Sequence, residues 1–333
     1  MTISLGFLLS LGFVVQPGQV QGQGTPFPKQ KDLFEKLHVH EAWQLTKGSS
    51  DVLVGVIDNG FDFFHPDLKE RLIPGFYAPG GYHTEVYENM AHGTLVASII
   101  AAKGGQGSEM AGLAPECKVL TASTGTIEHK LLKLQKEFQK KSPKADAQEF
   151  LKEMVKHGDE LKKFGQEWTS YQALSTAAAI RYLTDHGVKV INFSGLMKKS
   201  LIQSAEAWDK LQEAFQYASN KGVLVVIGAG NNAQACEDYP GDENSIIVVG
   251  ATSEEFKAIY EVLPMGATSS ATPIVTSLAA LVYSLKPGLE AKSVIELIKK
   301  GCDDIGEKGF DIYTGYGRVN FLKTLQLAKE FTR

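Results

Sequence analysis

Val52-Leu53-Val54-Gly55-Val56-Ile57-Asp58-Asn59-Gly60 is an apolar run that ends in a carboxylate and a turn signal. An apolar segment of this length, rich in valine and lacking polar alternation, fits a strand buried on both faces, the habit of parallel sheets. Asp-Asn-Gly closes it, because these residues tolerate the tight backbone of a turn. Similar runs lie at 119–123, 188–194, 223–228 and 246–250. Helical stretches are expected between and after them, at 94–102, 175–186, 204–220 and 269–285. Alternating strands and helices predict an α/β fold: a mostly parallel sheet flanked by helices, in three layers.

A carboxylate at the C-terminal end of a buried parallel strand sits where ligands and reacting groups gather in such sheets. Asp58 is therefore a candidate site residue, and two others complete a chemical set. His92 opens His92-Gly93-Thr94-Leu95-Val96-Ala97, and Ser269 lies in Gly266-Ala267-Thr268-Ser269-Ser270-Ala271-Thr272-Pro273 at the mouth of an apolar helix. A serine hydroxyl is a weak nucleophile unless a base takes its proton. Histidine suits that task, with an ordinary pKa of about 6.5. A carboxylate then fixes the imidazole tautomer and stabilises the imidazolium. A fourth candidate, Asn231, follows an apolar run in Gly228-Ala229-Gly230-Asn231. With the Ser269 N–H it would donate to a developing oxyanion. Pro273 is expected in a first helical turn, where its missing N–H costs little.

In the order Asp, His, Ser, these blocks resemble the subtilisin-like serine peptidases, the subtilases. The resemblance runs from about residue 37 to 321. Ile191-Asn192-Phe193-Ser194-Gly195 resembles the strand along one wall of the substrate groove. Asp311-Ile312-Tyr313-Thr314-Gly315-Tyr316-Gly317-Arg318-Val319-Asn320 resembles the closing segment. The resemblance implies an endopeptidase working through an acyl-enzyme, with Ser269 as nucleophile, His92 as base, Asp58 as orienter and Asn231 in the oxyanion hole. Ser194, Gly195 and Gly230 would bind substrate, and polypeptides would be the partners. Catalysis is expected to need no cofactor. Asp67 matches a calcium-ligating aspartate of many subtilases, yet the loop 103–108 lacks the asparagine of its partner loop. A plain loop carboxylate is the simpler reading.

The chain also departs from the family. Only 38 positions separate Asn231 from Ser269. The Ser-Asn-Tyr-Gly and Ala-Pro-Gly blocks that normally brace the serine turn are missing. Ala267 stands where glycine is usual, two residues before the serine, and alanine would be strained at a positive φ. These departures leave an alternative open: a catalytically impaired subtilase-fold protein that binds peptides or a partner. No Gly-x-Ser-x-Gly elbow surrounds Ser269, which argues against a lipase or esterase.

At 333 residues with 43% hydrophobic content, the chain can build a substantial core. A net charge of −4 gives no argument for nucleic acid or an anionic membrane. The three cysteines, Cys117, Cys236 and Cys302, are too few for a disulfide framework. The apolar run at residues 5–15 is too short to span a bilayer and reads as the core of a signal peptide. Residues 1–24 are accordingly expected to be a leader or disordered tail, and the protein to be exported. The subtilase-like domain is expected over 27–330, with no room for a pro-domain before it. Within it, residues 126–170 are rich in Lys and Glu and carry apolar residues at mostly helical spacing, broken at Ser142-Pro143. They are expected to form an inserted helical hairpin, a candidate arm for a protein partner.

Overall fold

The computed structural model describes residues 30–79, 92–105, 108, 110–125, 137–138, 140–142, 158–231, 238–251 and 267–332. The expected leader, most of the inserted hairpin and residues 252–266 lie outside them. Six strands form one sheet: β1 (Leu53–Asp58), β2 (Leu72–Tyr77), β3 (Lys118–Ser123), β4 (Val190–Phe193), β5 (Leu224–Gly228) and β6 (Ile246–Val249). Their order is β2-β3-β1-β4-β5-β6, and every pairing is parallel. Eight helices are described: α1 (Lys31–Lys36), α2 (Val39–Ala42), α3 (His92–Ala101), α4 (Gly158–Asp185), α5 (Ala205–Asn220), α6 (Ala267–Leu285), α7 (Ala291–Gly301) and α8 (Phe321–Glu330). None of them is long and apolar enough to cross a membrane.

The strand side chains alternate between two cores, as a pleat of period two requires. Val54, Val56, Val190, Leu224 and Val226 face the core shared with α3, α6, α7 and α8. Ile57, Ile191, Val225 and Ile227 face the core shared with α4 and α5. The expected three layers are therefore present.

Four details differ from the sequence expectations. The edge strand β2 is not legible in sequence, because Pro74 and Gly75 interrupt Leu-Ile-Pro-Gly-Phe-Tyr. Its pairing with β3 shifts register between Ile73 and Phe76. A Cβ on Gly75 would lie 2.3 Å from the Thr121 carbonyl oxygen, so only glycine allows the strands to meet there. Second, the expected boundary at residue 170 falls inside α4, a continuous helix of 28 residues. Nothing between 158 and 185 caps or breaks it, and Tyr171 Oη donates to the Thr124 carbonyl at 2.9 Å. The last part of the inserted segment is thus the first half of a core helix. Third, Ala267 opens α6 as a helical residue, and His38 is the one non-glycine residue with positive φ among the described residues. Alanine at 267 is unstrained. Fourth, Pro273 lies inside α6, beyond its first turn.

Tyr283 is one of three fully buried hydroxyl residues, with Thr176 and Thr324, that carry an unbalanced cost among the described residues. Tyr283 in α6 is 1% exposed, and its hydroxyl has no hydrogen-bond partner among the described residues. Burial pushes its phenol pKa upward. The hydroxyl loses water on folding and gains nothing in return. Tyr283→Phe is expected to stabilise the fold by about 1–2 kcal/mol in urea unfolding, at unchanged m-value. A destabilised variant would reveal a partner for the hydroxyl.

Candidate active site

The strand order places the candidate residues on one edge. From β1 the chain runs to the edge strand β2, comes back to β3 beside β1 and then crosses to β4 on the other side, so the switch in direction lies between β1 and β4. Ile57, Phe193 and Ile227 are in register across β1, β4 and β5. Asp58, Ser194 and the Gly228–Asn231 turn follow directly, so three candidate groups emerge side by side at the strands' C-terminal ends.

Asp58 and His92 are paired. His92 Nδ1 lies 3.0 Å from Asp58 Oδ1 and 2.9 Å from Oδ2. The Asp58 side chain is 6% exposed and that of His92 33%. The carboxylate is steered by its neighbours: Asn59 N–H donates to Oδ1 at 2.8 Å, and Thr124 N–H donates to the Asp58 carbonyl at 2.9 Å. Because Oδ1 is an acceptor and ring Nδ1 faces it, Nδ1 carries the proton and Nε2 is left as the base. Burial pushes the His92 pKa down, but the Asp58 charge and hydrogen bond together outweigh it and hold the imidazole above its ordinary value.

Gly93 explains how the helix reaches the strand. A Cβ there would lie 2.4 Å from the Gly60 carbonyl oxygen and 2.9 Å from Asp58 Cβ. The start of α3 therefore packs directly on the Asp58 turn. Thr94 Oγ1 seals the contact by accepting the Asp62 N–H at 2.8 Å.

Ser269 occupies the first turn of α6, where backbone N–H groups lack intrahelical acceptors. Its Oγ donates to the Ser194 carbonyl at 3.2 Å, and Ser194 Oγ donates to the Ser269 carbonyl at 3.1 Å. This reciprocal pair docks the serine turn on the end of β4. No hydrogen bond joins Ser269 to His92 among the described residues. The structure thus brings together Asp58 with His92 and Ser269 with Ser194, but leaves the serine hydroxyl turned to its own anchor.

Asn231 is held by its carbonyl end. Its Oδ1 accepts the Thr268 N–H at 3.0 Å and the Thr268 hydroxyl at 2.8 Å. A backbone N–H can only donate, so the amide orientation is fixed and the NH2 group is turned away from Thr268. Gly230 has φ +90°, and a Cβ on it would meet Leu196 at 2.7 Å. Gly195 lies against the Phe193 ring, where a Cβ would come within 2.5 Å. Both glycines therefore admit close packing beside the Ser194 strand.

Asp67 Oδ2 accepts the Ser108 hydroxyl at 2.6 Å.

Sequence reasoning missed the supporting polar residues: Thr124 behind Asp58, Thr268 beneath Asn231, and Asn192 and Thr276 behind Ser194. An asparagine inside the apolar strand Val-Ile-Asn-Phe, and the pair Thr276-Ser277 inside an apolar helix, were the available signals.

Residues 49–261 match the profile described as the Subtilase family. A curated relative, the thermophilic serine proteinase of Bacillus sp. (strain AK1), is 29% identical, the match covering 84% of this chain and 63% of the relative. Thermitase of Thermoactinomyces vulgaris is 26% identical, with 88% of this chain and 94% of the relative covered. The chain spans less than two thirds of the first of these relatives. Among solved structures, MycP1 from the ESX-1 type VII secretion system superposes with a TM-score of 0.62 at 20% identity, covering 88% of this chain and 84% of that one. At that identity the likeness is one of fold.

Proposed function

The chain belongs to the subtilase family, and on that premise we propose that it is a serine endopeptidase using Asp58, His92, Ser269 and Asn231. The observation that carries this reading is the pairing of His92 Nδ1 with both Asp58 oxygens at the edge where the Ser269 turn and Asn231 also lie.

In this reading a peptide lies along Ser194, Gly195 and Gly230. The Ser269 side chain turns about χ1 from the Ser194 carbonyl to His92 Nε2. Rotamer changes of this kind are fast, and catalytic hydrogen bonds often tighten only once substrate is bound. Oγ attacks the scissile carbonyl carbon while Nε2 takes its proton. The oxyanion receives hydrogen bonds from Asn231 Nδ2 and the Ser269 N–H, with the positive end of α6 behind them. The tetrahedral intermediate collapses, the C–N bond breaks, and His92 returns the proton to the leaving amine. Water, deprotonated by His92, then attacks the acyl carbon, and the C–Oγ bond breaks as His92 returns that proton to Ser269 Oγ. Thr268 and Thr124 act indirectly, by holding Asn231 and the Asp58 backbone. Export of the protein is part of the same proposal and rests on the apolar run at residues 5–15.

The test is labelling of the full chain with a fluorophosphonate probe, which reports an activated serine without a peptide substrate. Wild type is expected to label, Ser269→Ala to label not at all, and His92→Ala to label at least ~10³-fold more slowly. A protein that melts cooperatively yet does not label, or labelling that survives Ser269→Ala, would remove the enzyme reading.

A further inference from the structure

Pro273 lies four residues after Ser269 within α6. It has no N–H, so the Ser269 carbonyl loses the donor an uninterrupted helix would supply. Ser194 Oγ fills that place at 3.1 Å. Behind it stands a buried chain. Asn192 Nδ2 contacts Ser194 Oγ at 3.0 Å, and Thr276 Oγ1 contacts Asn192 Oδ1 at 2.9 Å. Asn192 and Thr276 are both 0% exposed. Thr276 Oγ1 also reaches the Thr272 carbonyl at 3.0 Å, so its proton is shared between two acceptors.

The polarity of this chain follows from one end. A carbonyl only accepts, so Ser194 Oγ spends its single proton on Ser269. Ser194 Oγ must then be the acceptor from Asn192, which puts the amide NH2 towards Ser194 and Oδ1 towards Thr276. Oδ1 has no proton, so Thr276 must donate. Reversing any link leaves the Ser269 carbonyl without its donor. Buried polar groups keep their places through such satisfied networks.

We propose that Thr276 and Asn192 are positioning residues for Ser269. They reach no reacting atom; they fix the Asn192 amide, which fixes the Ser194 hydroxyl, which fixes the backbone that carries the nucleophile and the Ser269 oxyanion donor. This rests on the peptidase reading above. In this chain the interval between Asn231 and Ser269 is short, and the network secures the serine turn from the opposite side, through β4 and the third turn of α6.

Thr276→Val keeps the shape and removes the hydroxyl. Thr276→Ser restores the hydroxyl and removes the methyl. Thr276→Ala is run beside Thr276→Val so that the comparison does not hang on one side chain's packing. Each is assayed well below its melting midpoint for kcat and KM on a peptide and for the second-order rate of fluorophosphonate labelling, which needs no substrate groove. The Val and Ala variants are expected to lose about tenfold in kcat and in labelling rate, with KM changed less than about twofold, because sub-ångström displacement of a reacting group acts on the chemical step. Thr276→Ser is expected to recover most of both. Equal rates in wild type and Thr276→Val would overturn the proposal. So would a raised KM with unchanged kcat, or an equal loss in the Ser and Val variants, which would mark packing as the cause. A wild-type protein that neither labels nor hydrolyses would overturn the peptidase reading together with this one, and that result is visible before any variant is compared.

Discussion

Asp58→Asn is expected to lower kcat by about 10⁴-fold while the protein folds and melts as before. The size follows from the tautomer. In the native site, Asn59 N–H donates to Oδ1, and both carboxylate oxygens lie within 3.0 Å of His92 Nδ1. After the substitution, the amide oxygen is retained by the Asn59 N–H, which can only donate. The amide NH2 is then turned to His92 Nδ1, which must accept. The imidazole proton moves to Nε2, and the base that should receive the Ser269 proton is gone. A loss of less than about tenfold would remove Asp58 from the orienting role.

The same variant carries a pH signature. His92 acts as a base only when neutral. Burial lowers its pKa, but Asp58 more than offsets this and raises it above 6.5. The wild-type kcat/KM should therefore rise with pH through an inflection above 6.5. In Asp58→Asn the desolvation remains and the carboxylate is lost, so the inflection of the residual activity should move to lower pH. The stability linkage has the opposite sense. A folded-state pKa raised above the unfolded value stabilises the protein below the unfolded pKa, and that contribution is lost as pH rises through the folded pKa. The pair thus stabilises the fold most where the enzyme is least active. A pH–rate profile that the substitution leaves in place would assign the inflection to another group.

How much of this was legible in the sequence depends on whether the signal was local. β1, β3, β4 and β5 announce themselves as short apolar runs because both faces of the sheet are covered, so the residue pattern and the burial agree. β2 does not, since Pro74 and Gly75 read as a turn; its strand character comes from Gly75 letting the Thr121 carbonyl approach, a contact between elements. Ala267 reads as strained only under the assumption of a positive φ, and the helix begins early enough to make that assumption unnecessary. The Asp58, His92, Ser269 and Asn231 set was readable because Asp58 and Asn231 follow apolar strand runs, while His92 and Ser269 stand at the start of apolar helical ones. Their supports were not. Thr276 and Asn192 are 84 positions apart, and each alone reads as a tolerated polar residue in an apolar element. Pairing of buried polar groups is a property of tertiary packing and leaves no periodicity to find.

Asn231→Ala is expected to lower kcat by about 10²–10³-fold with little change in KM, because the amide NH2 acts on charge present only in the transition state. Alanine removes two things at once, however: the donor to the oxyanion, and the acceptor that holds the Thr268 N–H and hydroxyl at 3.0 and 2.8 Å. Asn231→Asp separates them. A carboxylate still accepts from Thr268, so the serine turn keeps its anchor, but it offers no proton to the oxyanion and brings a like charge towards it. If donation is the role of Asn231, the Asp variant should be at least as impaired as the Ala variant. If anchoring Thr268 is the role, Asp should restore most of the rate that Ala loses. Recovery of kcat in Asn231→Asp would therefore move the oxyanion donor elsewhere and leave Asn231 as a brace for Ser269. A raised KM at unchanged kcat in either variant would make it a contact for bound peptide instead.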